Sequence, residues 1–346
     1  MKRDSQNKTT TPVFPFTAIV GQEQMKLALL LNVINPETGG VLIMGHRGTA
    51  KSTAVRSLSD LLPPRSVSPL KVEMNINEAH KSLELRSSPT GDHNMTRIPM
   101  VTLPLSATED RVVGTLDIEA ALSQGKKSFE PGLLARAHGG FLYIDEVNLL
   151  DDHLVDLLLD VAASGINIVE REGLSVRHPS KFVLVGSGNP EEGDLRPQLL
   201  DRFGLYTRVS TITDVKERMK VVKLTETFKK CPHDFLEKFA PKQQALRDKV
   251  INAMDNLKEV VLPERLMAKA VELCLQLKID GHRGEITISR AARALAALRG
   301  RKKVIPADIR EVAPMCLQHR LRRDPLEQID SGEKIKKALV GLFAGD

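Results

Sequence analysis

The run GGVLIMGHRGTAKSTAVRSLSDLLPP, residues 39–64, constrains the chain more than any other stretch. Four apolar residues bounded by glycines predict a buried strand. Val55, Leu58, Leu61 and Leu62 then recur at helical spacing until Pro63 stops the helix. Between them, residues 45–52 read G-x-x-x-x-A-K-S, one residue away from the phosphate-cradling pattern G-x-x-x-x-G-K-[ST]. Gly45 and Gly48 let the backbone turn so that N–H groups face phosphate oxygens, and the following helix points its N-terminus at the same charge. His46, Arg47, Thr49, Ala50 and Thr53 complete the loop. Lys51 supplies a point charge for the phosphates, and the Ser52 hydroxyl is placed for Mg²⁺. Ala50 stands where a glycine belongs. Because the chain is already entering the helix there, right-handed angles are expected at Ala50, and a left-handed angle would count against the cradle.

The rest of the N-terminal half repeats the strand and helix theme. GGFLYIDEVNLL (139–150) reads as a second buried strand, and DDHLVDLLLDVAASG as a helix capped by Asp151 or Asp152 and ended by Gly165. INIVEREGLSVRH alternates around Arg171-Glu172-Gly173, the pattern of a hairpin, and KFVLVGSGNP is a third strand closed by a polar turn. Strands alternating with helices predict an α/β fold with a mainly parallel sheet. Beyond about residue 215 the texture is helical only: LMAKAVELCLQLKI, TISRAARALAALRG and ADIREVAPMCLQHRL carry apolar stripes near period 3.6. The expected division is a polar arm over 1–12, a nucleotide-binding α/β domain over 13–215, a connecting helical segment over 216–262 and a helical lid over 263–346.

Composition narrows the partners. No apolar run approaches a membrane span, and no secretory or transit-type leader is evident at the start. Three scattered cysteines give neither a disulfide framework nor a metal knuckle, which points to a reducing compartment. Residues 1–210 hold 22 Lys+Arg against 25 Asp+Glu, whereas 211–346 hold 28 against 19, so the basic excess belongs to the C-terminal part. With no Trp and two Tyr, a base-stacking surface is unsupported; nucleic acid is not expected, and an acidic protein partner suits the basic half. Scattered solvated lysines are the plainer alternative.

Five further positions carry chemistry. Asp145 and Glu146 close an apolar strand, where one carboxylate can hold Mg²⁺ and its neighbour can activate water; an acidic pair ending a strand is common enough that only the loop gives it weight. Asn189 ends the next strand within reach of a γ-phosphate, or is simply an Asn-Pro turn. Arg202, in LLDRFG, sits where an arginine can be delivered to a neighbour's nucleotide, and Arg283, in DGHRGE, starts a helix from which it could contact the same nucleotide as the loop. Surface ion pairing is the alternative for both.

Taken in order, these pieces resemble AAA+ ATPases of the group with a helix-2 insert, which includes the MoxR and minichromosome-maintenance proteins. VFPFTAIVGQEQMKLALLLNVINPETGGVLIMG, LPLSATEDRVVGTLDIEAAL, FEPGLLARAHGGFLYIDEVNLLDDHLVDLLLD and HRLRRDPLEQIDSG are similar to the ATPase (I) subunits of magnesium chelatase. GTLDIEAALSQGKKSFEPGLL and GINIVEREGLSVRHP match that group's insert and its hairpin before the sensor strand. The resemblance implies Lys51 and Ser52 as Walker A ligands, Asp145 and Glu146 as Walker B, Asn189 as sensor 1, Arg202 as arginine finger and Arg283 as sensor 2. It implies ATP and Mg²⁺ as cofactors, and ATP hydrolysis coupled to insertion of Mg²⁺ into protoporphyrin IX. It also implies a ring, expected to be a hexamer, acting with D and H subunits, the porphyrin being held by H. The implied setting is a plastid stroma or the cytoplasm of a photosynthetic bacterium. His46 and Ala50 depart from the family loop G-D-R-G-T-G-K-S-T, and between Pro64 and Val101 the family pattern is blurred and nothing functional is assigned. Cysteine at Cys274 and Cys316 in plastid relatives suggests thiol regulation; two small buried helix residues are the alternative. A MoxR-like chaperone and a DNA translocase are the competing readings.

Overall fold

The computed structural model describes residues 12–63, 70–76, 79–85, 98–117, 128–171, 174–193, 195–321 and 331–344. The polar arm up to residue 11, the hairpin tip Glu172-Gly173, the middle of the insert (118–127), most of 64–97 and the stretch 322–330 lie outside those residues.

Strands, in chain order, are β1 Val41–Gly45, β2 Leu70–Ile76, β3 Ala79–Leu85, β4 Met100–Leu103, β5 Gly114–Asp117, β6 Ser128–Pro131, β7 Phe141–Ile144, β8 Ile166–Arg171, β9 Leu174–Pro179, β10 Val183–Gly188 and β11 Leu205–Val209. Helices of six residues or more are α1 Glu23–Ile34, α2 Lys51–Leu61, α3 Asp152–Ser164, α4 Pro197–Arg202, α5 Val215–Lys230, α6 Pro232–Asn256, α7 Glu264–Gln276, α8 Arg283–Leu298, α9 Pro306–Leu317 and α10 Ser331–Leu342.

Five strands form a parallel sheet in the order β11-β1-β10-β7-β4. Val41, Leu42 and Ile43 of β1 are fully buried, as a strand covered on both faces by helices must be. Parallel pairing has one further consequence: every strand begins at one edge of the sheet and ends at the other. Gly45, Asp145 and Asn189 therefore share the carboxyl edge, while Gly39, Gly140 and Gly204 share the amino edge. The expected hairpin exists as β8 and β9, but it is part of a larger antiparallel sheet, β3-β2-β9-β8, whose other two strands come from the stretch where the family pattern is blurred.

Local sequence explains the helix that follows β7. Asp151 accepts the His153 backbone N–H at 3.0 Å, capping α3, and Gly165 closes it at φ +71°. The C-terminal helices pack behind the sheet. Leu29 and Leu31 of α1 share one buried cluster with Ala291 and Leu295 of α8, and Asn35 donates to the Arg290 carbonyl at 3.5 Å. By contrast α5 buries none of its residues.

Candidate nucleotide site

β1 delivers the loop to the carboxyl edge, and the edge is too tight for a side chain at its first position. A Cβ on Gly45 would stand 2.5 Å from the Val209 carbonyl of β11. Gly48 follows at φ +78° with open space around it. The helix then starts at Lys51 with no side-chain cap, leaving its first N–H groups to the loop interior. Lys51 folds onto carbonyls: its Nζ donates to Gly45, to His46 at 3.2 Å and to Gly188 at 3.3 Å. Burial lowers the Lys51 ammonium from its ordinary value, against the pull of Asp145, Glu146 and Glu192. Thr49 Oγ1 donates to the His46 carbonyl at 2.8 Å and ties the loop across its own turn.

Ala50 does not take the right-handed angles expected of it. Its φ is +64° and ψ 21°. Entry into α2 is not gradual: the residue before the helix reverses the chain so that the loop folds over Lys51, and alanine adopts that angle at a cost of roughly 1–2 kcal/mol. Glu146 is also left-handed, at φ +57°, directly after β7. Two side-chain-bearing residues on left-handed backbone thus lie at the same carboxyl edge.

The acidic half of the site is held by residues that sequence reasoning missed. Asp145 Oδ1 accepts from Ser187 Oγ at 2.6 Å and from the Tyr143 hydroxyl at 2.9 Å. Tyr143 points back to the end of its own strand, whereas Ser187 reaches across from β10. Burial holds the Tyr143 phenol well above its ordinary range, so it stays a proton donor. Asn189 is buried, and its Oδ1 accepts the Glu191 N–H at 3.3 Å. It serves as a turn cap at the strand end, one residue beyond the carbonyl that Lys51 uses. Glu146 Oε1 accepts from Arg47 Nε at 3.1 Å, and the same guanidinium pairs with Glu192. The signal for Glu192 was present in NPEE, but only the fold brings that turn over the loop.

These residues fit a nucleoside triphosphate with Mg²⁺. The crowded Gly45, the uncapped helix start, the Lys51 ammonium on backbone carbonyls and the hydroxyl-oriented Asp145 are the donors and acceptors such a ligand requires.

The sequence profile described as Magnesium chelatase, subunit ChlI matches residues 15–199, and an AAA lid domain profile matches 267–338. The chain belongs to the magnesium chelatase ChlI family. The magnesium-chelatase 38 kDa subunit of Chlorobaculum tepidum is 54% identical over 99% of this chain and 89% of its own. Magnesium-chelatase subunit ChlI of Synechocystis sp. is 54% identical over 97% of this chain and 96% of its own. Among solved structures, a cryo-EM-based complex between subunits BchI and BchD of magnesium chelatase matches with TM-score 0.52 and 49% identity, covering 94% and 99% of the two chains. The chain belongs to the ChlI family with Ala50 left-handed, so the expectation that such an angle would count against the family reading is corrected.

ChlI family membership leaves two arginines to be placed, and neither lies near the loop of its own chain. Arg202 pairs with Asp160 and, at 3.2 Å, with Asp156, both on one face of α3. Arg283 donates to Asp201 Oδ2 at 3.0 Å. Both line a cleft of about 790 Å³ at the amino edge, with Gly39, Gly140, Lys181 and Arg290. A five-residue strand separates the edges by about 15 Å at ~3.3 Å per residue, beyond the reach of an arginine side chain. The expectation that Arg283 contacts the same nucleotide as Lys51 is therefore corrected for this arrangement.

Arg320 anchors the lid at that edge. Its side chain is 3% exposed, and it reaches Asp201 Oδ1 at 3.1 Å and the carbonyls of Asp201, Phe203 and Cys316. Cys274 and Cys316 are unpaired and buried, and burial pushes both thiols up to about 12. Thiols so far from ionisation attack disulfides slowly, which favours packing over redox reactivity. No helix among the described residues is long and apolar enough to cross a membrane.

Proposed function

We propose that this chain is the ATP-hydrolysing subunit of a magnesium chelatase, driving insertion of Mg²⁺ into protoporphyrin IX. The observation that carries the reading is the meeting, at one sheet edge in a chain of the ChlI family, of a phosphate-type loop with a hydroxyl-oriented carboxylate and a second carboxylate. Lys51 and the loop residues Gly45–Thr53 hold the triphosphate, and Ser52 and Asp145 hold its Mg²⁺. Glu146 takes the proton of the attacking water, and Asn189 orients that water or the γ-phosphate. Bound Mg-ATP supplies the phosphoanhydride bond whose cleavage releases the energy. Energy input suits the task, because Mg²⁺ sheds its waters reluctantly and a planar tetrapyrrole offers only four of its preferred six ligands.

Arg202 and Arg283 serve the nucleotide of a neighbouring copy. Their place at the amino edge supports this, since head-to-tail packing sets one copy's amino edge against the next copy's carboxyl edge, and a closing rotation makes a ring. Six copies are proposed, as is action with D and H subunits, H holding the porphyrin. The BchI–BchD complex among the similar structures supports the D partnership. The setting proposed is plastid stroma or bacterial cytoplasm.

Mixing the chain with D and H subunits, deuteroporphyrin, Mg²⁺ and ATP should give the metalated porphyrin by its absorption shift, and Lys51→Ala should give none. ATP turnover without metalation in the presence of both partners would favour a chaperone for another metalloprotein.

A further inference from the structure

Arg47 is the one loop cation that turns towards the acidic half of the site. Its Nε donates to Glu146 Oε1 at 3.1 Å, and a terminal nitrogen pairs with both Glu146 and Glu192. Glu192 comes from the turn after β10, its side chain is 20% exposed, and its Oε2 is buried without a hydrogen-bond partner among the described residues. Three carboxylates, Asp145, Glu146 and Glu192, thus crowd the place where a polyphosphate would sit, and the field of all three reaches Lys51 or Arg47. Left alone they would repel it. Arg47 offsets two of them, and its own side chain is 71% exposed. Exposed pairs of this kind are cheap to open.

We propose that Arg47 and Glu192 are positioning residues for Glu146, the carboxylate assigned above to water activation. With no nucleotide bound, Arg47 holds Glu146 in a charge pair, and a carboxylate so paired is a poor acceptor for a water proton. A triphosphate competes for the guanidinium. Arg47 turns to it, and Glu146 is released to the water only when there is a phosphate to attack. Glu192 shares Arg47 throughout, so the guanidinium never closes wholly on Glu146. No bond beyond those of ATP hydrolysis is made or broken. The inference rests on the ATP-site reading, and it adds two roles that the loop motif does not specify.

The test is a double-mutant cycle on steady-state ATP hydrolysis by the full chain, with nucleotide affinity measured separately by a fluorescent ATP analogue. Glu192→Gln leaves Arg47 only Glu146 to pair with, so kcat should fall about tenfold while KM for ATP moves less than about twofold. Arg47→Ala should raise KM severalfold yet keep at least about a tenth of kcat, and in that background Glu192→Gln should change nothing further. Glu192→Asp, which keeps the charge, should recover most of the rate. An unchanged kcat in Glu192→Gln, an equal loss with and without Arg47, or an Arg47→Ala chain inactive at saturating ATP would each overturn the proposal. Analogue binding that survives Lys51→Ala unchanged would instead defeat the ATP-site reading, so the two failures are told apart.

Discussion

At the carboxyl edge of the sheet, Lys51 reaches backbone carbonyls and the exposed Arg47 reaches half-buried carboxylates, and Ala50 and Glu146 sit on left-handed backbone. At the amino edge the one strong anchor, Arg320, is all but buried, with a carboxylate and four carbonyls around it. The contrast separates what responds to a ligand from what keeps its place. Exposed pairs and strained turns change partner at little cost, whereas a buried guanidinium cannot leave its acceptors without stranding them. Each edge also lacks what the other has: the first holds the cradle without a free arginine from the lid, the second holds Arg202 and Arg283 without a cradle.

That complementarity can be broken by mixing. Arg202→Ala should lower ATP turnover about a thousandfold, as loss of a transition-state arginine does. Lys51→Ala should be inactive as well. When the two inactive chains are combined, turnover should reappear, because an intact loop then meets an intact arginine edge across some of the interfaces. No recovery at any ratio would mean that the two edges do not serve one another.

The difference in rigidity is sharpened by Arg320→Leu, which strands the backbone carbonyls of Asp201, Phe203 and Cys316 while Asp201 keeps its pair with Arg283. Unfolding free energy should drop by about 3 kcal/mol, seen as an earlier urea midpoint. A loss comparable to that of an exposed pair would put the anchor elsewhere.

Acid should also act on the amino edge first. Burial, with Arg320 beside it, holds His319 down at about 3 against an ordinary 6.5. The unfolded chain therefore takes the proton first; stability is intact above pH 6.5 and is lost as pH falls from 6.5 towards 3. His319→Asn should flatten that acid limb in urea titrations between pH 6.5 and 4, and an unchanged limb would acquit His319. Burial lowers His178 in the same sense, so part of the slope remains in the variant.

The smallest effect belongs to the carboxyl edge. Ala50→Gly removes the penalty of a left-handed alanine and should raise stability by about 1 kcal/mol with nucleotide affinity retained. A destabilised glycine variant would show that the angle carries no strain.

Much of this was legible before any coordinates. The buried strands beginning at Val41, Phe141 and Val183, the capped helix from Asp152 and the hairpin at residues 166–179 all follow from apolar runs, caps and alternation, which are local rules. The Lys51 and Asp145 neighbourhood was legible for the same reason, since parallel strands must end at one edge. The antiparallel partners β2 and β3 were not. β2 pairs with β9 across about a hundred positions and β3 joins the sheet only through β2, and no turn signal announced either. Glu192, Ser187 and Tyr143 were missed because each is ordinary in its own segment and gains meaning only beside Asp145 or Arg47.

What the sequence determined by itself was the set of elements and the chemistry at their ends: a strand, loop and helix with a lysine, a strand closed by two carboxylates, and helices rich in arginine. Their periodicities and caps depend on neighbours within a few residues, so no tertiary context was needed. What only the tertiary structure decided was which end meets which. It put Arg283 against Asp201 at the far edge from Lys51, because α8 packs behind the sheet with α1. It also turned Ala50 left-handed, because a loop closing over its own lysine must reverse there whatever the local preference of alanine.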